Sequence, residues 1–244
     1  MSGRLSAILL QTVALSCSCL MVGCGSRANK EAQEKNAAGI KQLQEFQATR
    51  EARAKELKAM DVPGLASELE KESQRGLEPF NSMAYAETVS RGGQAASALA
   101  PLLTKPDRSS FLGLLALRKL DATRYRSLAP DFRAAVLLNA FETSTYFNAW
   151  GIPTVYWTDA AKAMIDEGAA VQPGLARLLR DTRPAPVWGS EGVMVNQQYH
   201  FRVADYAWTL LNEIRNQRVE IPQNPQERDK LIAETLKRVA SRPK

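Results

Sequence analysis

Val89-Ser-Arg-Gly-Gly-Gln-Ala-Ala-Ser-Ala-Leu-Ala-Pro-Leu-Leu103 is followed, 76 residues later, by the similar stretch Ile165-Asp-Glu-Gly-Ala-Ala-Val-Gln-Pro-Gly-Leu-Ala-Arg-Leu-Leu179. Five aligned pairs are identical: Gly92/Gly168, Leu99/Leu175, Ala100/Ala176, Leu102/Leu178 and Leu103/Leu179. Each copy has the pattern of a helix, a glycine break and a second helix with an apolar stripe. The offset is close to two units of about 40 residues, the period of two-helix solenoid repeats. The sequence therefore predicts an all-α fold of stacked helix pairs.

A further apolar helix is predicted after each copy, over residues 111–120 and 204–214. The whole pattern, Gly-x-x-(Ala/Val)-x-x-x-Leu-x-x-Leu-Leu with Asp107 or Asp181 soon after it, resembles that of HEAT repeats. Both aspartates match the aspartate that is common in this family, and Arg202 matches its arginine in the second copy. The resemblance covers residues 84–215 and implies a short HEAT-like α-solenoid.

The rest of the predicted repeat domain, which spans residues 63–244, is also helical. One helix is expected to start at Pro130 and the last one at Asn224-Pro225, because Asn is a good N-cap and Pro suits the first helical position. The last helix has one apolar face and is expected to cap the end of the repeat stack. The only segment with strand character is a short ribbon expected over residues 192–199.

The N-terminus has the features of an export signal. Arg4 precedes an uncharged stretch, residues 5–26, that includes an apolar run. Met21-Val22-Gly23-Cys24 closes this run and resembles the lipobox of bacterial lipoproteins. The resemblance implies that residues 1–23 are removed and that Cys24 carries a diacylglyceryl group. Gly25 rather than Asp in the next position implies the outer membrane, facing the periplasm. An uncleaved anchor helix and a soluble secreted form are the alternatives.

Residues 24–62 are predicted to form a polar helical tether or stalk, because the segment is rich in charged helix formers and has too few apolar residues for a coiled coil. A partner-binding helix is the alternative. Val62-Pro63-Gly64 is expected to break this helix.

Composition excludes several classes of protein. The three cysteines lie at positions 17, 19 and 24, so a disulfide framework is not expected. Loss of Arg4 with the leader leaves 31 basic and 26 acidic residues, a diffuse +5 that does not indicate nucleic-acid binding. His200 is the single histidine, and no catalytic, metal-binding or phosphate-binding motif is present. We therefore expect no enzymatic activity, no cofactor and no metal.

Two segments rich in aromatic residues are the predicted binding region. Residues 146–157 place aromatic side chains around a Gly/Pro turn, and residues 183–201 form an insertion in the second copy. Insertions in repeat stacks often project from the edge that binds. The candidate residues of a shared pocket are Trp150, Trp157, Trp188, Glu191, Tyr199, His200, Arg202 and Asp205. Three interpretations stay open: packing on the core, recognition of a ligand or partner, and catalysis.

Together these patterns predict a membrane-anchored scaffold or adaptor that binds another protein, of unspecified identity, through its repeat surface. A small-molecule or glycan-binding module that uses the two aromatic segments is the alternative. An enzyme with carboxylates at Glu191 and Asp205 is a minor alternative.

Overall fold

The chain is mostly helical in a computed structural model, which describes residues 27–153 and 155–240. Its α-helices are α1 Arg27–Ala59, α2 Val62–Gln74, α3 Met83–Ser90, α4 Gly93–Leu99, α5 Phe111–Leu120, α6 Ala122–Ser127, α7 Pro130–Glu142, α8 Asp159–Asp166, α9 Gln172–Leu178, α10 Ser190–Tyr199, α11 Val203–Ile214 and α12 Pro225–Ala240. The two-residue strands β1 Gly151–Ile152 and β2 Tyr156–Trp157 form one antiparallel hairpin. The prediction of an all-α fold is confirmed at this level.

Two units, residues 1–52 and 53–244, are distinguished by their internal contacts. In the first unit the described residues belong to α1, and their side chains are almost all exposed, including the apolar Ile40, Leu43 and Phe46. At 1.5 Å per residue, the 33 residues of α1 extend over about 50 Å. No helix within residues 27–153 and 155–240 is both long and apolar enough to cross a membrane.

The second unit begins at Arg53, earlier than the predicted boundary at residue 63. The last turns of α1 belong to this unit because Arg53 forms ion pairs with Glu68 and Glu72 of α2, and because Leu57 is buried. Helix α1 ends at Ala59, and the Asp61 carboxylate then caps α2 by accepting a hydrogen bond from the Gly64 amide at 2.8 Å. The proline that follows Val62 therefore lies in the first turn of α2, where it has no hydrogen bond to break.

The sequence repeat is also a repeat of local structure. Helices α3 and α8 have equal lengths, and their bounds differ by the same 76 residues as the sequences. Ser82 and Thr158 are the matching N-caps, and their hydroxyls accept hydrogen bonds from the Tyr85 and Ala161 amides at 2.9 and 3.5 Å. Helix α3 is followed by Gly92 with φ 64° and α8 by Gly168 with φ 54°, a left-handed conformation that favours glycine.

Packing follows the repeat. Helices α3 and α4 pack on α5 in the first copy, as α8 and α9 pack on α11 in the second. Helix α7 contacts both α5 and the second copy, while α12 packs on α11 at the C-terminal end. One continuous apolar core runs through these helices, from Leu57 to Ile232. The predicted start of α12 is confirmed, since Pro225 is its first residue and the Asn224 side chain accepts a hydrogen bond from the Gln226 amide.

The ribbon expected over residues 192–199 is wrong, because these residues form α10. Their β-branched residues favour a strand in isolation, but a strand needs a partner, whereas a helix satisfies its own backbone. In the helix, Val195 and Tyr199 lie four residues apart and both pack against the core.

Candidate functional site

The two aromatic segments lie side by side and are joined by hydrogen bonds. The Phe147 amide donates to the Pro186 carbonyl at 2.8 Å. One residue further along, the Asn148 side chain makes two hydrogen bonds with the backbone of Trp188. Its Oδ1 accepts from the Trp188 amide at 2.6 Å, and its Nδ2 donates to the Trp188 carbonyl at 2.8 Å. The backbone of Trp188 is therefore fixed, while 69% of the residue is exposed.

The hairpin β1–β2 determines where Tyr156 lies. Gly151 pairs with Trp157, and Ile152 pairs with Tyr156. Gly151 has φ 97°, and a Cβ atom there would lie 2.3 Å from the Tyr156 carbonyl oxygen, so only glycine permits this close pairing. The Tyr206 hydroxyl holds the hairpin to α11 by donating to the Gly151 carbonyl at 2.9 Å. Tyr156 itself remains 42% exposed.

A cleft of about 550 Å³ opens between these segments and the first copy of the repeat. Its size lies within the range of about 300–1,000 Å³ that is usual for ligand sites. Four aromatic side chains line it, namely Phe80, Tyr85, Tyr156 and Trp188. The other lining residues are Pro79, Lys119, Asn148, Ala149, Thr158, Asp159, Ala160 and Gly189. We call this site the aromatic cleft.

Two opposite charges lie in the aromatic cleft. Lys119 and Asp159 are both exposed, and neither side chain forms an ion pair with any residue within 27–153 or 155–240. Burial raises the pKa of the neighbouring Tyr85 to about 12, and the negative charge of Asp159 adds to this effect. The Tyr85 hydroxyl therefore stays protonated, and remains a hydrogen-bond donor, over the whole physiological pH range.

Trp150 and Trp188 differ in burial, although both belong to the predicted binding region. Trp188 lines the aromatic cleft. Trp150 is completely buried, with its ring centroid 4.9 Å from that of Phe141 and its indole nitrogen donating to the Ser144 hydroxyl at 2.9 Å. The prediction that Trp150 lines a pocket is wrong, because its ring is surrounded by core side chains and its polar atom already has a partner.

Asp205 is likewise a structural residue, and its predicted place in a pocket is wrong. Its carboxylate is fully buried and forms ion pairs with Arg202 and with the equally buried Arg228, both at 3.0 Å. Arg202 also pairs with Asp229 at 2.7 Å, so these four side chains connect α12 to the start of α11. A carboxylate enclosed by two arginines has no free face for a substrate.

The remaining candidate residues lie away from the aromatic cleft or outside the described structure. Trp157 is half-buried against the core, and Tyr199 stacks on Phe201 with ring centroids 4.9 Å apart. His200 is exposed and lies with Arg202 at a separate, smaller depression of about 210 Å³. The side chain of Glu191 and all of Cys24 lie outside the described part of the chain.

Four functional candidates of the aromatic cleft lie outside the two aromatic segments and were not predicted from the sequence: Phe80, Tyr85, Lys119 and Asp159. Tyr156 lies within the first segment but is not among the predicted candidate residues. Asp159 follows the N-cap Thr158, and such a cap marks a helix start without indicating what the next residue faces. Phe80 lies in a turn that is held by the ion pair between Glu78 and Arg108 at 2.7 Å. The turn has a local signal in Pro79, but the ion pair joins residues 30 positions apart and has none.

In the described residues, no three His, Cys, Asp or Glu side chains are arranged to hold a metal ion. Comparison of the chain with protein-family models, curated protein sequences and solved structures finds no match.

Proposed function

We propose that this protein is a lipid-anchored protein of the bacterial envelope that binds a partner protein in the aromatic cleft, and that its role is recognition rather than catalysis. One observation carries the proposal: Trp188 presents a largely exposed indole on a backbone that the Asn148 side chain fixes by two hydrogen bonds. Exposed apolar side chains that lie together, here Trp188 with Phe80 and Tyr156, are typical of an interaction site.

The fixed backbone matters for affinity. A loop whose backbone is already held in place loses little conformational entropy on binding, so more of the contact energy appears as affinity. Trp and Tyr are also the residues most enriched at the energetic centres of protein interfaces. Trp188 and Tyr156, which converge on the cleft from the two aromatic segments, fit this description.

A short HEAT-like solenoid is the architecture that we propose for the domain. The 76-residue offset of α3 and α8, their matching caps, and the equivalent packing of α4 on α5 and α9 on α11 support it. The two aspartates also behave alike. Asp107 accepts a hydrogen bond from the amide two residues later at 2.9 Å, and Asp181 does so at 3.1 Å.

The membrane anchor that we propose is a diacylglyceryl group on Cys24, with the mature protein in the outer membrane and facing the periplasm. The lipobox-like sequence before Cys24 supports this. The test is Cys24→Ser, followed by metabolic labelling with a fatty acid and by membrane fractionation. We expect loss of the label and release from the membrane. A variant that stays membrane-bound through an uncleaved leader would refute the anchor.

Affinity capture from detergent-solubilised membranes tests partner binding. Trp188→Ala should lose the partner while its melting temperature stays close to that of the parent, because the exposed indole contributes little to the core. Met194→Ala is the matched control, since Met194 is 66% exposed and lies outside the lining of the cleft. Retention of the same partner by Trp188→Ala and Met194→Ala would refute the proposed function.

Binding of a small molecule or glycan is the second candidate function, and the volume of the cleft favours it. It predicts that Trp188→Ala removes binding of a soluble ligand and leaves every captured protein unchanged.

A further inference from the structure

The polar side chains that line the aromatic cleft differ in how far they are engaged within the protein. Two of them already make hydrogen bonds to the backbone. Asn148 is occupied on both its oxygen and its nitrogen by Trp188. The Thr158 hydroxyl donates to the Ala149 carbonyl and accepts from the Ala161 amide. Both side chains therefore help to hold the walls of the cleft in place.

Several of the remaining polar groups can donate a hydrogen bond to a ligand. The indole N–H of Trp188, the Tyr156 hydroxyl and the Lys119 ammonium make no hydrogen bond to any other described residue. The indole and the ammonium can only donate, whereas a tyrosine hydroxyl can both donate and accept. Among the described lining residues, Asp159 carries the one carboxylate.

A proline-rich peptide presents acceptors to the free donors of Trp188 and Lys119. Proline has no N–H, and an extended polyproline II segment makes no internal hydrogen bonds, so its carbonyls are left as free acceptors. Grooves lined by aromatic rings are the usual binding sites for such segments. The rings of Phe80, Tyr156 and Trp188 provide these walls, and the donors of Tyr156 and Trp188 lie beside them.

We propose that the aromatic cleft binds an extended proline-containing segment of the partner protein, flanked by one acidic and one basic residue that face Lys119 and Asp159. This inference rests on the proposed function and adds the chemistry of the occupant. The two unpaired charges give the segment a direction, because reversal of the peptide would bring like charges together.

The test is selection of binders from a random dodecapeptide phage library on the full-length protein in detergent micelles, with parallel selections on Trp188→Ala and Met194→Ala. We expect the parent and Met194→Ala to enrich peptides with a proline-rich apolar core between an acid and a base. Trp188→Ala should not enrich them, and should bind the synthetic consensus peptide about 30-fold or more weakly.

Charge reversal then tests the direction of the peptide. Lys119→Glu and Asp159→Lys should each weaken the consensus peptide by about two- to fivefold, and the double variant should prefer the peptide with its two charges exchanged. Enrichment of peptides without proline, equal enrichment by Trp188→Ala, or binding of chitin oligosaccharides in place of peptides would overturn the inference. If Trp188→Ala still captures the partner from membranes, the proposed function itself fails. If capture is lost but no such peptide binds, only the identity of the occupant fails.

Discussion

Replacement of Arg228 by alanine should destabilise the domain strongly. The side chain is completely buried, and its Nε lies 3.0 Å from Asp205 Oδ1. Its two terminal nitrogens donate to the carbonyls of Pro222, Gln223 and Tyr199 at 2.7–2.8 Å. Arg228 therefore joins α12 to the end of α10 and to the loop before α12.

The size of the expected destabilisation follows from the groups that lose a partner when Arg228 is removed. Asp205 would keep Arg202 as a partner, but three carbonyls would lose their donor and a cavity would form beside Phe201. Removal of one member of a buried ion pair typically costs about 3–5 kcal/mol. For a domain of this size each kcal/mol lowers the melting temperature by about 2–4 °C, so we expect a decrease of about 6–20 °C.

The assay is thermal unfolding followed by far-ultraviolet circular dichroism, with Arg177→Ala as the control. Arg177 also pairs with a carboxylate, that of Glu142 at 2.8 Å, but both side chains are substantially exposed, so its loss should cost less than about 1 kcal/mol. A melting temperature of Arg228→Ala within about 2 °C of the parent, or no lower than that of Arg177→Ala, would contradict this role of the buried arginine.

Three further predictions concern the aromatic cleft, a helix end and a buried tyrosine. Asn148→Ala should weaken partner capture by releasing the Trp188 backbone, while costing less than about 2 kcal/mol of stability because two partly exposed hydrogen bonds are lost; unchanged capture would contradict this. Gly168→Ala should lower the free energy of unfolding by about 1–2 kcal/mol, because its φ is 54° and a left-handed backbone disfavours a Cβ atom. Gly93→Ala is the control at a helix start, and it should be neutral or stabilising by up to about 1 kcal/mol. Both values are measured by urea unfolding. The pKa of Tyr85 is raised to about 12 in the folded protein. Its ionisation is followed as the tyrosinate absorbance at 295 nm that the parent shows and Tyr85→Phe lacks. This difference should have its titration midpoint near pH 12. Because the folded-state pKa lies above the unfolded value of about 10, the stabilisation from this group is complete below pH 10 and is lost as the pH rises through 12; a midpoint near 10 would contradict this.

The sequence repeat and the helix ends were predictable from the sequence because their causes are local. Gly92 and Gly168 need a conformation that side chains disfavour, and Asn224 caps a helix that starts at the next residue. Such signals act over a few residues, so they are visible without any knowledge of the tertiary structure.

The position of each aromatic residue was not predictable, because it depends on contacts between distant segments. Trp150 and Trp188 have similar sequence surroundings, rich in Gly and Pro, yet one is buried by Phe111 and Phe141 and the other is exposed. Lys119 reaches the aromatic cleft from the last turn of α5, far along the chain from either aromatic segment. Only the tertiary packing brings these residues together, and an amphipathic pattern does not specify which loops meet.

Site-specific photo-crosslinking in cells distinguishes recognition in the aromatic cleft from contacts elsewhere on the surface, and it leaves Trp188 in place. A photoreactive phenylalanine derivative replaces Phe80, which lines the cleft, or, as the control, Met194, which is similarly exposed but lies outside it. We expect a light-dependent adduct with one partner protein from position 80 and little or none from position 194, with the crosslink mapped by mass spectrometry to a proline-containing segment. The absence of an adduct from position 80, or the same adduct in equal yield from both positions, would contradict recognition in the aromatic cleft.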